Sequence, residues 1–524
     1  MLRQSLRRTA AAAACLCLFT AGAVRAQSTI FVTGSREPVV ADQLAADVVV
    51  IDRMTIAAST ADSLADLLRR EAGLQLSRNG GPGQTSGLFI RGASSGQTVL
   101  LVDGVRVGSA TLGTPSLDGI PLSQIDHIEV LRGPGSSLYG ADAVGGVIQV
   151  FTRRGAGAVQ LDASVGIGGY GSRSSSVGAS GSAGRWDLAA SAAHEGSVGV
   201  STLRPGDPYG NYNPDRDGYH LGSAQARIGW RPQDGQRIGL VLLRSRLDSQ
   251  YDSSEYLAPN YTQDNTPNFR TALDSQVSAL DWRGALAAGW TGSARVSRDV
   301  DDSTSGAHQP DHYRTTRDHA GAQLAWAAGP LGQWIAAVEH TVERAATTSY
   351  LADVERRNTA FVLALDGKAG VWSWQADLRR DDSSDFGGVT TGRLGGNVAF
   401  APGWRLRALA GTTFRAPSFN DLYYPGYGVA TLRPERGRSF EVGLDWQGAG
   451  RSAAVTVYRN LVRDLIGYEP DRSLCPADPA YDYGCARNTG RAALQGATLS
   501  AAQALGAWRL RAQVDFLQAR DRDT

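Results

Sequence analysis

The side chains able to do acid–base, nucleophilic or redox chemistry are few and scattered. Seven histidines, His127, His194, His220, His308, His312, His319 and His340, are spread along the chain. None sits in a G-x-S-x-G or H-E-x-x-H setting that would supply a nucleophile with its base or a metal with its ligands. No G-x-x-x-x-G-K-[ST] run offers a phosphate cradle. An enzyme, such as a hydrolase housed in a barrel, is therefore the weakest reading. Cys475 and Cys485 lie in "SLCPADPAYDYGCARN", a polar loop between two strand-like runs with no histidine nearby. A local disulfide in an oxidising compartment is expected, rather than a metal site. One further stretch is chemically dense: "LRGPGSSLYGADAVGGVIQVFT" (131–152) packs Arg-Gly-Pro, Tyr-Gly and a Gly-Gly pair ahead of an alternating apolar strand. Glycine permits sharp turns and close backbone approach, and proline fixes a bend. A catalytic loop, a phosphate cradle and a structural plug could each be built this way.

The elements that must position these residues come in two textures. Residues 35–153 read as a mixed α/β unit. "DVVVID" (47–52) is a short strand. The helix after it has a cap at Ser59 or Thr60, Leu64, Leu67 and Leu68 at helical spacing, and Gly73 as its stop. "TVLLVDGVRV" (98–107) is a hairpin about Asp103-Gly104. From about Val159 the chain alternates instead. Trp372, Trp374, Ala376 and Leu378 alternate with Ser373, Gln375, Asp377 and Arg379, and Phe440, Val442, Leu444 and Trp446 alternate with Glu441, Gly443, Asp445 and Gln447. A sandwich core could not bury such charges unpaired, whereas a water-lined lumen holds them. The pattern predicts an all-β-dominated protein, a large antiparallel transmembrane β-barrel over 159–524 with a tryptophan girdle at segment ends. The polar inserts "STLRPGDPYGNYNPDRDG" and "YDSSEYLAPNYTQDNTPNF" are its surface loops. At roughly 20 residues per strand and connection, about 18 strands fit after Ala158. The sequence runs out at "QARDRDT" without a closing aromatic strand, so a barrel incomplete at its C-terminus and hard to close is expected, because open edges in lipid leave backbone groups unpaired.

Residues 1–26 read as a signal peptide: Arg3, Arg7 and Arg8, then "TAAAAACLCLFTAGA", then small residues up to Ala26. No later stretch has the roughly 18 continuous apolar residues of a membrane helix. Lys+Arg 52 against Asp+Glu 51 leaves a net charge of +1. That balance gives no bulk electrostatic reason to expect nucleic acid or an anionic membrane surface as partner.

A small N-terminal domain ahead of a large barrel resembles the TonB-dependent outer-membrane receptors of Gram-negative bacteria. "LFIRG" (88–92), "VLLVDGVRV" and the 131–152 stretch look like the family's plug motifs, and "FRAPSFNDLY" (414–423) with "LRPERGRSFEVGL" (432–444) looks like its barrel signature. The resemblance implies a plug domain over 35–153 inside a barrel of the 22-stranded type. It also implies a monomer in outer-membrane lipid, driven by the TonB energy-coupling protein. Segment 27–34 would be the box that this partner grasps by strand addition, through Thr29, Ile30, Phe31, Val32 and Thr33. Arg91 and Arg132 would face acidic groups on the wall, with Glu435 and Glu441 as candidates. Within the family the cobalamin (vitamin B12) transporters are most similar. "NGGPGQTSGLFIRG" (79–92) and "GSATLGTPS" (108–116) match their plug loops, which implies substrate contacts at Thr85, Gly87, Ser94, Leu112 and Gly113, with Ser253 nearby. "NPDRDG" (213–218) and "YDS" (251–253) match their calcium loops, which implies oxygen ligands at Asn213, Asp215, Asp217, Tyr251 and Asp252, with Asp264 as a further one. Alternating carboxylates suit a hard cation that takes 6–8 oxygens. The sequence departs from the subfamily before "NPDRDG", where "EGSVGVS" lacks an aspartate that Asp207 could replace, and in its loop cysteines. A receptor for a siderophore or other metal chelate is the alternative, sharing plug and barrel motifs and differing in its substrate loops.

Overall fold

The computed structural model describes Phe31–Val32, residues 34–78, residue 80, 86–506 and 508–522. The signal-peptide stretch, Thr29, Ile30, Thr33 and Thr85 lie outside the described residues.

The N-terminal unit begins with the paired strands β1 (Phe31–Val32) and β2 (Val39–Val40). It continues with β3 (Asp47–Ile51), α1 (Arg53–Ala58), α2 (Leu64–Ala72), β4 (Gln75–Arg78), β5 (Ser86–Phe89), β6 (Thr98–Val102), β7 (Val105–Arg106), β8 (Ile125–Arg132), α3 (Ser136–Tyr139) and β9 (Gly146–Thr152). Strands β3-β8-β9-β6-β7 form a mixed sheet in which only the β6–β9 pairing is parallel. Strand β9 is buried along its whole length, so its near-continuous apolar run has no solvent face to alternate toward. The helical stretch after β3 divides in two. Ser63, not Ser59 or Thr60, caps α2 by accepting from the Asp66 N–H, and Gly73 ends it at φ 64°. Ser59 instead closes α1. Leu64, Leu67 and Leu68 pack into one apolar core with Ile128, Val130, Ile148 and Val150.

The second unit is one antiparallel sheet of 17 strands. In order these are β10 (Gln160–Ile167), β11 (Arg173–Ala183), β12 (Trp186–Val200), β13 (Asp217–Trp230), β14 (Gln236–Tyr251), β17 (Phe269–Ala287), β18 (Trp290–Gly306), β19 (Asp311–Ala327) and β20 (Gln333–Thr347). There follow β21 (Val354–Ala369), β22 (Trp372–Ser383), β23 (Gly387–Ala401), β24 (Trp404–Arg415), β25 (Glu435–Gly448), β26 (Arg451–Glu469), β27 (Cys485–Leu505) and β28 (Trp508–Asp521). The short hairpin β15 (Glu255–Tyr256) and β16 (Gln263–Asp264) sits in the loop after β14. Strands as long as the 21 residues of β27 use more chain than the average behind the expected 18. β10 and β28 are the two edges of the sheet, and among the described residues they do not pair with each other.

Strand ranges fix the polarity of this wall. At one end the connections are tight, such as 184–185, 288–289, 370–371 and 402–403, and at the other they include 201–216, 252–268, 416–434 and 470–484. All eleven tryptophans lie toward the tight-turn end. Trp186 stacks on Trp230 and Trp290 on Trp326 across strand pairs, as an aromatic belt at a membrane interface would. Along β22, Trp372 and Leu378 are exposed on the outer face while Ser373, Gln375, Asp377, Arg379 and Asp381 are buried against the N-terminal unit. That unit occupies the lumen: Asn397 donates to the carbonyl of Gln43, Gln124 to the carbonyl of Ser223, and Arg36 pairs with Glu339. No helix among the described residues is long and apolar enough to cross a membrane.

Candidate ligand and metal site

The plug is held to the wall by a desolvated ion cluster. Arg91, in the turn after β5, donates to Asp47 Oδ2 at 2.6 Å and to Glu441 Oε1 on β25 at 2.8 Å, and its guanidinium lies 4.4 Å from the Tyr458 ring. Arg132 behaves differently. It sits directly opposite Asp47 in the β3–β8 pairing and donates to Asp47 Oδ1 at 3.0 Å, so it stays within the plug and meets neither barrel carboxylate. Glu435 likewise receives no plug arginine. It takes Arg415 of the wall at 2.7 Å, and the plug reaches it through Gln97 Nε2 at 2.6 Å. Burial pushes the Asp47 carboxyl up, but Arg132 and Arg91 outweigh it and hold it well below the usual carboxylate range. Asp47 is the member that motif reading missed. Its only trace in the sequence is a carboxylate heading an otherwise apolar strand.

This cluster explains the dense 131–152 stretch. Gly133 has φ +109°, and a Cβ there would lie 1.8 Å from Glu441 Oε1. At Gly146 a Cβ would lie 2.2 Å from the Leu131 carbonyl oxygen. These glycines let the plug backbone pass close to the wall and to itself, which selects the structural plug among the three uses open to such a stretch.

At the long-loop end the plug presents the turn 109–114. It is closed by the Ser109–Thr114 bridge and gripped by the wall, since Phe419 N–H donates to Ala110 O and Asn420 N–H to Thr111 O. Leu112 at its tip is 55% exposed, and Gly113 takes φ +67° over Ser418. Ser94 caps a single 3-10 turn with Gln97, and Gly87 lies within β5 opposite Ser77. Leu112 thus stands free at the surface, whereas Ser94 is tied into the plug by Gln97.

The loops 201–216 and 252–268 are stitched together at the same end. Asp252 Oδ2 accepts from Ser201 Oγ at 3.1 Å and Leu203 N–H at 3.3 Å, Ser254 Oγ donates to Asn211 Oδ1 at 2.7 Å, and Asn213 Nδ2 donates to Thr266 O at 3.4 Å. Between them Asp215, Asp217 and Asp252 bring one carboxylate oxygen each within 4.8 Å of the others. Asp217 Oδ2 is held by the Thr202 N–H and hydroxyl. Asp215 Oδ1 and Asp252 Oδ1 are buried with no hydrogen-bond donor. Burial, and then the Asp252 charge, raises the Asp215 carboxyl above its ordinary range. Three acids crowded with two orphaned oxygens form a donor set that fits a hard divalent cation. Asp264 is not part of it: its Oδ1 accepts from the Thr266 N–H and hydroxyl, a local turn that pulls its carboxyl below the usual range. Tyr251 is turned to the Ser305 hydroxyl at 3.0 Å and packs on Phe269, and Asp207 caps the Asn211 N–H at 2.8 Å. Ser253 directly follows Asp252 in this loop. Cys475, in the 470–484 loop, and Cys485, at the start of β27, form a disulfide.

Between plug and wall lies a cavity of about 490 Å³ with a mixed lining, in which Arg106, Arg317, Glu343, Arg379 and Asp381 stand beside apolar residues such as Phe386 and Phe414.

Residues 159–524 match the family described as "TonB dependent receptor-like, beta-barrel", and residues 41–147 match "TonB-dependent Receptor Plug Domain". Among curated proteins the chain is 30% identical over 491 residues to the vitamin B12 transporter BtuB of Photobacterium profundum, covering 91% of this chain and 76% of that protein. It is 28% identical over 454 residues to the BtuB of Vibrio cholerae, covering 84% and 71%. Among solved structures it superposes on the siderophore receptor PirA of Pseudomonas aeruginosa with a TM-score of 0.71 at 17% identity, covering 90% of this chain and 85% of that one. The family is one of outer-membrane receptors and transporters, and a plug domain inside a transmembrane β-wall, matched along nearly its whole length, makes this chain a TonB-dependent receptor.

Proposed function

We propose that this receptor takes up cobalamin across the outer membrane, with a calcium ion ordering its ligand loops. The observation that carries the reading is the gathering of Asp215, Asp217 and Asp252 between two loops at the end where Leu112 is displayed. The vitamin B12 transporters at about 30% identity support the same ligand. When bound, the cation would supply the positive charge that lets three carboxylates lie together. Asp215 and Asp252 would hold it through the oxygens that lack donors, and the loops carrying Ser253 would be fixed over the plug apex, where Leu112 and Gly113 meet the ligand. Residues 1–26 would direct export, and the segment 29–33 would be pulled by the energy-coupling protein through strand addition, with β1 already extended. The likeness to siderophore receptors is a likeness of fold and carries no ligand. Equilibrium binding of cyanocobalamin, with calcium and with chelator, tests the reading. Binding should weaken at least tenfold on chelation and equally in Asp215→Ala/Asp217→Ala, which should no longer respond to calcium. Binding indifferent to both calcium and the double substitution would overturn the metal's role.

A further inference from the structure

Three layers of loop stand on one another at the long-loop end of the wall. The innermost is the plug turn 109–114, which displays Leu112. The middle layer is the 416–434 loop with its helix α4 (Phe419–Tyr423), capped by Ser418. This helix donates its Phe419 N–H to Ala110 O at 3.1 Å and its Asn420 N–H to Thr111 O at 2.9 Å. Its far end is closed by Gly428, whose N–H donates to Tyr424 O at 2.7 Å. A Cβ on Gly428 would lie 2.6 Å from the amide nitrogens of Tyr423 and Tyr424, so glycine is needed for this close seat. The outermost layer is the 470–484 loop. Nearly all of it is exposed, Tyr483 to 88%, and the exceptions are Cys475, Tyr481 and Gly484. Tyr481 donates its hydroxyl to Gly428 O at 2.7 Å, and Ala486, beside Cys485, donates its N–H to Tyr427 O at 2.7 Å.

We propose that the disulfide-closed loop is a buttress for the ligand turn, and that Tyr481 is a positioning residue acting through Gly428 and α4 on Leu112 and Gly113. Its effect on affinity rests on the cobalamin reading above; its effect on the turn does not. Apart from the Tyr481 hydroxyl, each link is made by backbone groups. A shift of Gly428 therefore carries α4 with it and displaces the two N–H donors that grip the turn. Holding an exposed loop in one place costs conformational freedom. Closing it at Cys475 and Cys485 removes part of that freedom in advance, so the single Tyr481 bond has less disorder to oppose. Inside the loop, Asp478 accepts from the Ala480 N–H at 2.8 Å and caps the turn Pro479–Tyr481, which sets the backbone that carries the phenol.

Amide hydrogen exchange of the full chain in detergent, read at Phe419, Asn420 and the turn 109–114, tests the buttress without a ligand. Cyanocobalamin binding tests its consequence. The variants are Tyr481→Phe, Cys475→Ser/Cys485→Ser and, as a control on an exposed side chain of the same loop, Tyr483→Phe. Tyr481→Phe removes one hydrogen bond, so Phe419 and Asn420 should exchange roughly two- to tenfold faster and cyanocobalamin should bind more weakly by a similar factor. Cys475→Ser/Cys485→Ser should act in the same direction and more strongly, on the order of tenfold or more. Tyr483→Phe should match the parent. Exchange along β18–β22 should be the same in all four proteins, which shows the wall to be folded. Faster exchange confined to 470–484 would make the disulfide a local staple and overturn the proposal. Faster exchange at Phe419 and Asn420 with undiminished cyanocobalamin affinity would overturn the positioning role. A parent that binds no cyanocobalamin, with those two amides exchanging faster in the variants, would sink the ligand reading and uphold the buttress.

Discussion

In the plug, β9 buries Val147, Ile148, Val150 and Phe151 among apolar neighbours. In the wall, β22 turns Trp372 and Leu378 outward and buries Ser373, Asp377, Arg379 and Asp381. The two regions obey opposite rules because they meet opposite solvents. The plug hides apolar surface from water, and the wall hides charge from hydrocarbon. Their interface is consequently polar, and it is held by largely buried pairs that cross from plug to wall: Arg91 with Glu441, Arg36 with Glu339, and Asp103 with Arg227. Such pairs add little over apolar packing while intact, but each is costly to break singly. That suits a plug which must stay seated until it is pulled.

The comparison can be broken most severely at its joint. Arg91→Ala leaves Glu441 and Asp47 buried without their shared cation and should cost about 3–5 kcal/mol of plug docking. Limited proteolysis of the plug in denaturant would show it as a lowered midpoint with the wall still folded. Next comes the outer face: Val442→Arg places a charge in the apolar belt and should cost about 2–4 kcal/mol if the belt lies at the bilayer midplane, less nearer the interface. Reversible unfolding in liposomes reads that cost, and a neutral result would mean that this face does not meet hydrocarbon. The subtlest handle is pH. Because the folded Asp47 carboxyl is depressed, its stabilisation is fully present above the unfolded value of about 3.9 and is lost only as pH falls toward the folded one. The difference in plug protection between the parent and Asp47→Asn should therefore stay constant from pH 7 to about pH 5 and shrink below about pH 4. A difference that vanished near pH 6 would contradict the Arg–Asp–Arg arrangement.

The fold was legible because alternation is a local property: Trp372 to Arg379 can be read as a two-faced strand without knowing its neighbours. What was not legible depends on register and on through-space partners. Arg132 carries the same motif context as Arg91, yet the β3–β8 pairing sets it opposite Asp47, and nothing in the local sequence marks that. Asp264 resembles Asp252 in composition of its surroundings, yet the following Thr266 captures its carboxylate in a turn. The helix cap moved from Ser59 to Ser63 because two short helices replace one, and Ser59 closes the first of them.

The central claim is that the loops gathered by Asp215, Asp217 and Asp252 serve a corrinoid, and a competition measurement tests it most directly. Labelled cyanocobalamin is bound to the receptor in calcium and challenged separately with unlabelled cyanocobalamin and with a ferric catecholate chelate. Displacement by cyanocobalamin alone is the predicted result. Displacement by the ferric chelate at comparable or lower concentration would contradict the account and transfer the receptor to the metal-chelate class.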